Sequence, residues 1–327
     1  MRLAVWKIIA LAVVLVAIHT AVYAQGNAGA YPSKPIRWLV GFAPGASNDI
    51  IARLIAARLT ESFGQQVLVD NRGGAGGIIA GEIVAKSAPD GYTLIMSTGG
   101  PSVSGPLLAK RAPYRVEDFT QTIVIGYTPL VIVAHPAFPA RNPRELVDYA
   151  KANPGKITWG SSGIGGSPHF GLLVFQAATG IEVTHVPYKG TSLALTDIAA
   201  GQIQAMHASV ISSEAHLAAR RLKIIGVGSA KRLANLPDIP TYAEHGIVNG
   251  ESVVWFGVAT APATPRPITL KLNNAVNRVL QNPDAIRRMQ ELGLEVLGGT
   301  PEDAEAFVKR EAAMVRRLIK LGKIRPE

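Results

Sequence analysis

What most constrains this chain is an alternation that begins at Ile36. Short β-branched apolar runs are broken by glycine or proline and followed by apolar positions at helical spacing. Residues 36–41, 66–69 and 93–97 read as strands, separated by a helix over 48–63 and a second near 78–87. That βαβαβ order implies a parallel sheet. Residues 122–135 are long for one strand and are interrupted at Thr128-Pro129, so they read as a crossing from one domain to another. Beyond them come helix 143–152, strand 157–159, helix 168–179, strand 182–186, helix 192–200, strand 204–208, a helical piece at 212–219 and strand 223–228. Residues 253–260 offer a second crossing, and helices at 270–280, 284–292 and 301–321 complete the pattern. The predicted fold class is therefore α/β, two lobes joined by two crossing segments around a cleft. Residues 25–127 plus 253–327 would form lobe 1 and residues 128–252 lobe 2, hinged where the chain crosses.

The first residues differ in kind. Arg2 and Lys7 accompany an apolar run at residues 8–18, and Val22-Tyr23-Ala24 fits small-residue cleavage, so residues 1–24 read as a secretory signal peptide. The run is shorter than the ~20 apolar residues of a spanning helix. The remainder is expected to be exported to the periplasm as a soluble monomer. A chain of 327 residues with 48% hydrophobic and 17% charged residues is globular and long enough for two domains. It contains no cysteine, which excludes disulfides, thiol catalysis and a lipidated cysteine. The formal charge of +10, or +8 without Arg2 and Lys7, is spread without blocks. No basic stripe with interleaved aromatics appears, so no nucleic-acid partner is expected.

Two stretches look built to hold an anion. Phe42-Ala43-Pro44-Gly45-Ala46-Ser47-Asn48-Asp49 leads from a strand into a helix start, where free amides and the positive end of the helix dipole face outward and small residues allow close approach. Gly160-Ser161-Ser162-Gly163-Ile164-Gly165-Gly166-Ser167 repeats that design in the other lobe, with hydroxyls added. Asp49 is expected to hold the first loop through its amides rather than to touch an anion. Tyr188 and Lys189, in Pro187-Tyr188-Lys189-Gly190, would place a phenol and a cation at the cleft rim. Thr98 follows the third strand, and His207 and Ala208 end a later one; all three are candidate ligand contacts. His169 reads as structural.

Other chemistries fit less well. In Asn71-Arg72-Gly73-Gly74-Ala75-Gly76-Gly77, Ile79 stands where a dinucleotide-binding loop has its third glycine, so a tight turn into a helix is the expected role. The serine-rich loop lacks the G-x-S-x-G elbow, because Ile164 replaces its closing glycine. A secreted serine hydrolase using Ser161 or Ser162 with a histidine is the competing enzyme reading, but catalysis demands a placed base where binding demands only donors. The histidines show no metal-ligand spacing. Neither a metal nor another cofactor is expected, and the chain is read as a non-enzyme.

The motifs resemble the extracytoplasmic solute receptors of tripartite tricarboxylate transporters, also called Bug receptors. Tyr31-Pro32-Ser33-Lys34-Pro35-Ile36, Asp70-Asn71-Arg72, Pro89-Asp90-Gly91-Tyr92-Thr93-Leu94, His185-Val186-Pro187-Tyr188-Lys189-Gly190, Leu195-Thr196-Asp197, Leu236-Pro237-Asp238-Ile239-Pro240-Thr241, Trp255-Phe256-Gly257 and Gly299-Thr300-Pro301-Glu302 occur in that family's order. The resemblance implies a type II periplasmic binding protein fold that captures a small carboxylate by hinge closure, largely through amides, hydroxyls and water. It implies membrane subunits of a secondary transporter as partners, or none for an orphan receptor. A role in presenting ligand to a signalling system uses the same cleft. Two departures stand out: Ala46 where the family has a second glycine, and His207-Ala208-Ser209 where it has an aromatic, Asp and Asn. Ala46 is expected to disfavour positive φ and tune ligand preference, and His207 to offer a titratable ring.

Overall fold

The computed structural model describes residues 31–322 and Ile324; the expected signal peptide lies outside them. Residues 31–33 belong to one unit, and a compact α/β unit begins at Lys34. In that unit β1 (Ile36–Val40), α1 (Ser47–Phe63), β2 (Val67–Asn71), α2 (Ile78–Ala85) and β3 (Thr93–Ser97) follow the predicted order. β1 lies between β2 and β3, parallel to both. Ile36, Trp38, Leu39 and Val40 are fully buried, as expected of a parallel strand covered on both faces.

A π-helical turn, Gly100–Ser104, runs into the short α3 (Gly105–Leu108) and on to β4 (Thr120–Ala134). β4 is a single strand of 15 residues rather than an interrupted segment. Residues 120–129 pair with β9 (Val253–Thr260), while Leu130–Ala134 pairs with β7 (Ala205–Ser209) and residues 131–134 with β8 (Lys223–Val227). Pro129 falls at that changeover, where a missing N–H disturbs the ladder least. Between β4 and β9 lie α4 (Pro143–Ala152), β5 (Thr158–Ser161), α5 (Ser167–Thr179), β6 (Thr184–Pro187), α6 (Thr191–Ala199) and α7 (Val210–Ala218). α8 (Arg266–Leu280), α9 (Pro283–Glu291), β10 (Glu295–Val296) and α10 (Pro301–Lys320) follow. The strands hydrogen-bond in the order β2-β1-β3-β9-β4-β7-β5-β6, with β8 and β10 also on β4.

Element bounds shift by a few residues from the sequence expectation. The largest shift is at α8, which starts at Arg266 because a proline in the first turn needs no N–H partner. The apolar interior is divided. One cluster is built entirely from residues of the 131–247 span, around Trp159, Phe175 and Tyr242. Others gather Leu39, Ile95 and Ala259, or Val103, Trp255 and Val308.

Helix starts differ with location. Asn142, Asn282 and Thr300 cap α4, α9 and α10 with their own side chains. α1, α5 and α6 start instead on Ala46, Gly166 and Gly190, which make no side-chain cap.

Candidate functional site

The loop between β1 and α1 is held from behind. Gly45, at φ 79°, donates its amide to Asp49 Oδ2 at 3.0 Å, and Arg53 binds the other Asp49 oxygen at 2.9 Å. Arg53 also donates to Asn71 Oδ1 at 2.9 Å, and Asn71 in turn donates to the Phe42 carbonyl at 3.0 Å. These bonds tie the Asp49 carboxylate to the Gly45 amide and to Arg53, which holds the loop that leads into α1.

The starts of α1, α5, α6 and α7 converge on one small cavity. Phe42, Ser47, Asn48, Ser162, Thr191 and Ser209 line it, with Leu130 of β4 and Val254 of β9. Its interior volume is about 10 Å³, room for about one water molecule. No charged side chain among the described residues lines it. Asn48 Oδ1 and Ser162 Oγ are buried there without a partner among the described residues. A buried polar atom left unpaired is costly, and here it faces a space where a ligand group could satisfy it. Uncapped helix starts, hydroxyls and amides supply hydrogen-bond donors and partial positive charge, the chemistry that holds an anion without a basic side chain.

The surrounding loops touch. The Ala43 amide donates to the Lys189 carbonyl at 3.2 Å, Ser192 Oγ to the Pro44 carbonyl at 2.9 Å, and Ser104 Oγ to the Gly165 carbonyl at 2.5 Å. The glycine-rich stretch at 73–77 does more than turn the chain. A Cβ on Gly73 would stand 2.7 Å from the Lys189 carbonyl oxygen, and one on Gly76, at φ 63°, would collide with the Ile164 carbonyl.

The expected site residues therefore divide. Phe42, Ser47, Ser162 and Ser167 line the cavity. Ala43, Pro44, Gly163 and Gly165 form the contacts between loops. Ala46 does not line the cavity, and its φ of −70° is ordinary for any residue; the left-handed position is Gly45. Thr98 is buried, its hydroxyl without a partner among the described residues, and lies outside the cavity lining. Ser161 is wholly buried and joined to His185 Nε2 at 2.7 Å, while its oxygen accepts the Gly163 amide at 3.1 Å. Tyr188 and Lys189 line an outer groove instead. The Tyr188 hydroxyl donates to Asp197 at 2.6 Å, and burial together with that bond pushes its pKa up to about 12, so it stays neutral.

His207 and Ala208 require correction as ligand contacts. His207 is fully buried among Trp159, Phe175 and Tyr242, with ring centroids 5.2, 5.6 and 6.4 Å away. Burial pushes its pKa down to about 3, so the ring is a neutral core member. Ala208 is buried in the ladder opposite Val131. His169 is also interior, stacked on His185 at 4.2 Å and accepting the Gly165 amide on Nδ1. Asn48 lies within the first expected anion-holding stretch without being singled out in it, and Thr191 and Ser209 escaped the sequence reading. Their common signal is a small polar residue at or beside a helix start that follows a strand.

The sequence from 51 to 323 matches the model of the tripartite tricarboxylate transporter family receptor. Protein BugT of Bordetella pertussis is 34% identical over 304 residues, covering 92% of this chain and 93% of BugT. Among solved structures, R. palustris Rpa4515 with adipate superposes with a TM-score of 0.87 at 34% identity, covering 91% of this chain and 100% of that one. MatC from Rhodopseudomonas palustris with bound malate gives a TM-score of 0.85 at 28% identity, covering 88% and 100%.

Proposed function

The chain belongs to the tripartite tricarboxylate transporter receptor family, and from that premise we propose that it captures a small organic carboxylate and delivers it to the membrane subunits of a secondary transporter. Receptors of this family are periplasmic binding proteins. The observation that carries the reading is the convergence of four helix starts, three without side-chain caps, on a cavity with no charged lining. A carboxylate needs donors and positive potential there and finds both. An ammonium finds no acid in the lining, which favours carboxylates that lack an amino group. The structures of relatives with adipate and malate support the same class.

In this reading residues 25–127 plus 253–327 and residues 128–252 are two lobes hinged at β4 and β9. The contacts between loops are the closed jaws, and their parting makes room for a ligand far larger than the present 10 Å³ cavity. A binding role rather than catalysis belongs to this proposal, and the burial of Ser161, bonded to His185, supports it. A thermal-shift panel of aliphatic mono- and dicarboxylates, amino acids, sugars and amines, followed by calorimetry, tests this. Stabilisation by aliphatic acids is expected. Stabilisation by a sugar and by no acid overturns the reading.

A further inference from the structure

A second cavity lies across β9 from the first. Side chains alternate along a strand; Val254 lines the inner cavity, whereas Val253 and Trp255 line the outer one. The outer interior is about 390 Å³, within the range of small-molecule sites, about 300–1,000 Å³. Its walls are apolar: Phe170 and Val174 of α5, Met314 and Leu318 of α10, and the Trp255 indole. The ionisable groups that line it are Glu251 and Glu311, both acids in a chain of formal charge +10, and no basic side chain among the described residues joins them. Arg310, the neighbour of Glu311 in sequence, lies over the Phe307 ring at 5.9 Å from its centroid.

We propose that this pocket is a second binding site, for a small apolar ammonium with an alkyl or aryl body. The cation would sit at Glu251 and Glu311, and the body would lie on Trp255, Phe170 and Met314. Carboxylates supply the charge, and an indole face adds attraction for a cation. Burial pushes the Glu311 carboxyl up, opposed by Arg310 and Trp255, so a bound ammonium would offset the cost of keeping it ionised. This inference does not rest on the carboxylate reading of the inner cavity.

The test is calorimetry of the purified protein with phenethylamine and octylammonium, using phenylacetate and octanoate as anions of matching shape. Both amines are expected to bind. Glu311→Gln should weaken them roughly fivefold, as loss of one partly exposed ion pair does. Met314→Arg should abolish binding by filling the pocket with a cation, and because Met314 is 42% exposed the melting temperature should be preserved. Absence of binding by both amines, equal binding of the matching acids, or unchanged affinity in both variants overturns the proposal.

Discussion

The two cavities that flank β9 are separated by one strand and built from opposite materials. The inner one takes its polarity from backbone: four helix starts, small polar side chains and no charged lining. The outer one takes it from side chains, two glutamates set among apolar residues. Backbone polarity survives most side-chain substitutions and is vulnerable instead to anything that changes how closely the loops approach. Side-chain polarity is lost with a single carboxylate.

The largest expected effect attacks that close approach. Gly76→Val puts a branched side chain against the Ile164 carbonyl at a left-handed position. Affinity for whichever carboxylate leads the panel should fall about a hundredfold, ~2.8 kcal/mol, with the circular dichroism spectrum kept. Wild-type affinity in a folded variant would show that the loops do not need to meet.

A second effect separates the site from the core. His207 and His169 are both held near pKa 3, chiefly by burial. The unfolded chain therefore binds protons that the folded chain refuses between about pH 3 and 6.5. Stability from this source is full above 6.5 and is lost as pH falls, on the order of 2 kcal/mol per histidine by pH 5. Chemical denaturation at pH 7 and pH 5 should show the drop, with a smaller one in His207→Leu. Carboxylate affinity should change little over that range, since neither cavity is lined by histidine. A steep loss of affinity would return a histidine to the site.

Asn48→Asp gives the inner cavity the sign of the outer one. An acid beside the bound carboxylate should weaken it roughly thirtyfold, about 2 kcal/mol at short range. The melting temperature of the empty protein should hold or rise, because an acid suits the first turn of α1. Unchanged affinity would mean that the helix starts are not the source of anion preference.

Ala46→Gly should do least. Its backbone is ordinary and its methyl lies outside the cavity lining, so calorimetry should find a change of only a few tenths of a kcal/mol. A switch in ligand preference would restore the importance that the sequence suggested for it.

Much of the fold was legible because strands and helix starts are local. The runs at 36–41 and 93–97, and the small residues at 42–47 and 161–167, announce themselves within a few positions. Pro129 misled for the opposite reason. Locally it breaks a strand, but β4 continues because its pairing partner changes at that residue. His207 misled similarly. It sits in the middle of β7, two residues before a cavity-lining serine, and only Trp159, Phe175 and Tyr242, distant in sequence, make that position interior.

Neighbouring residues alone set the α/β alternation and the uncapped helix starts, since each depends on the character of a few adjacent positions. Contacts across the fold set which starts meet, that Gly45 rather than Ala46 carries the left-handed turn, and that the glycines at 73 and 76 are required by an opposing loop. Those outcomes hang on contacts such as Ser192 to Pro44, 148 residues apart. No local pattern encodes a distance across the folded chain.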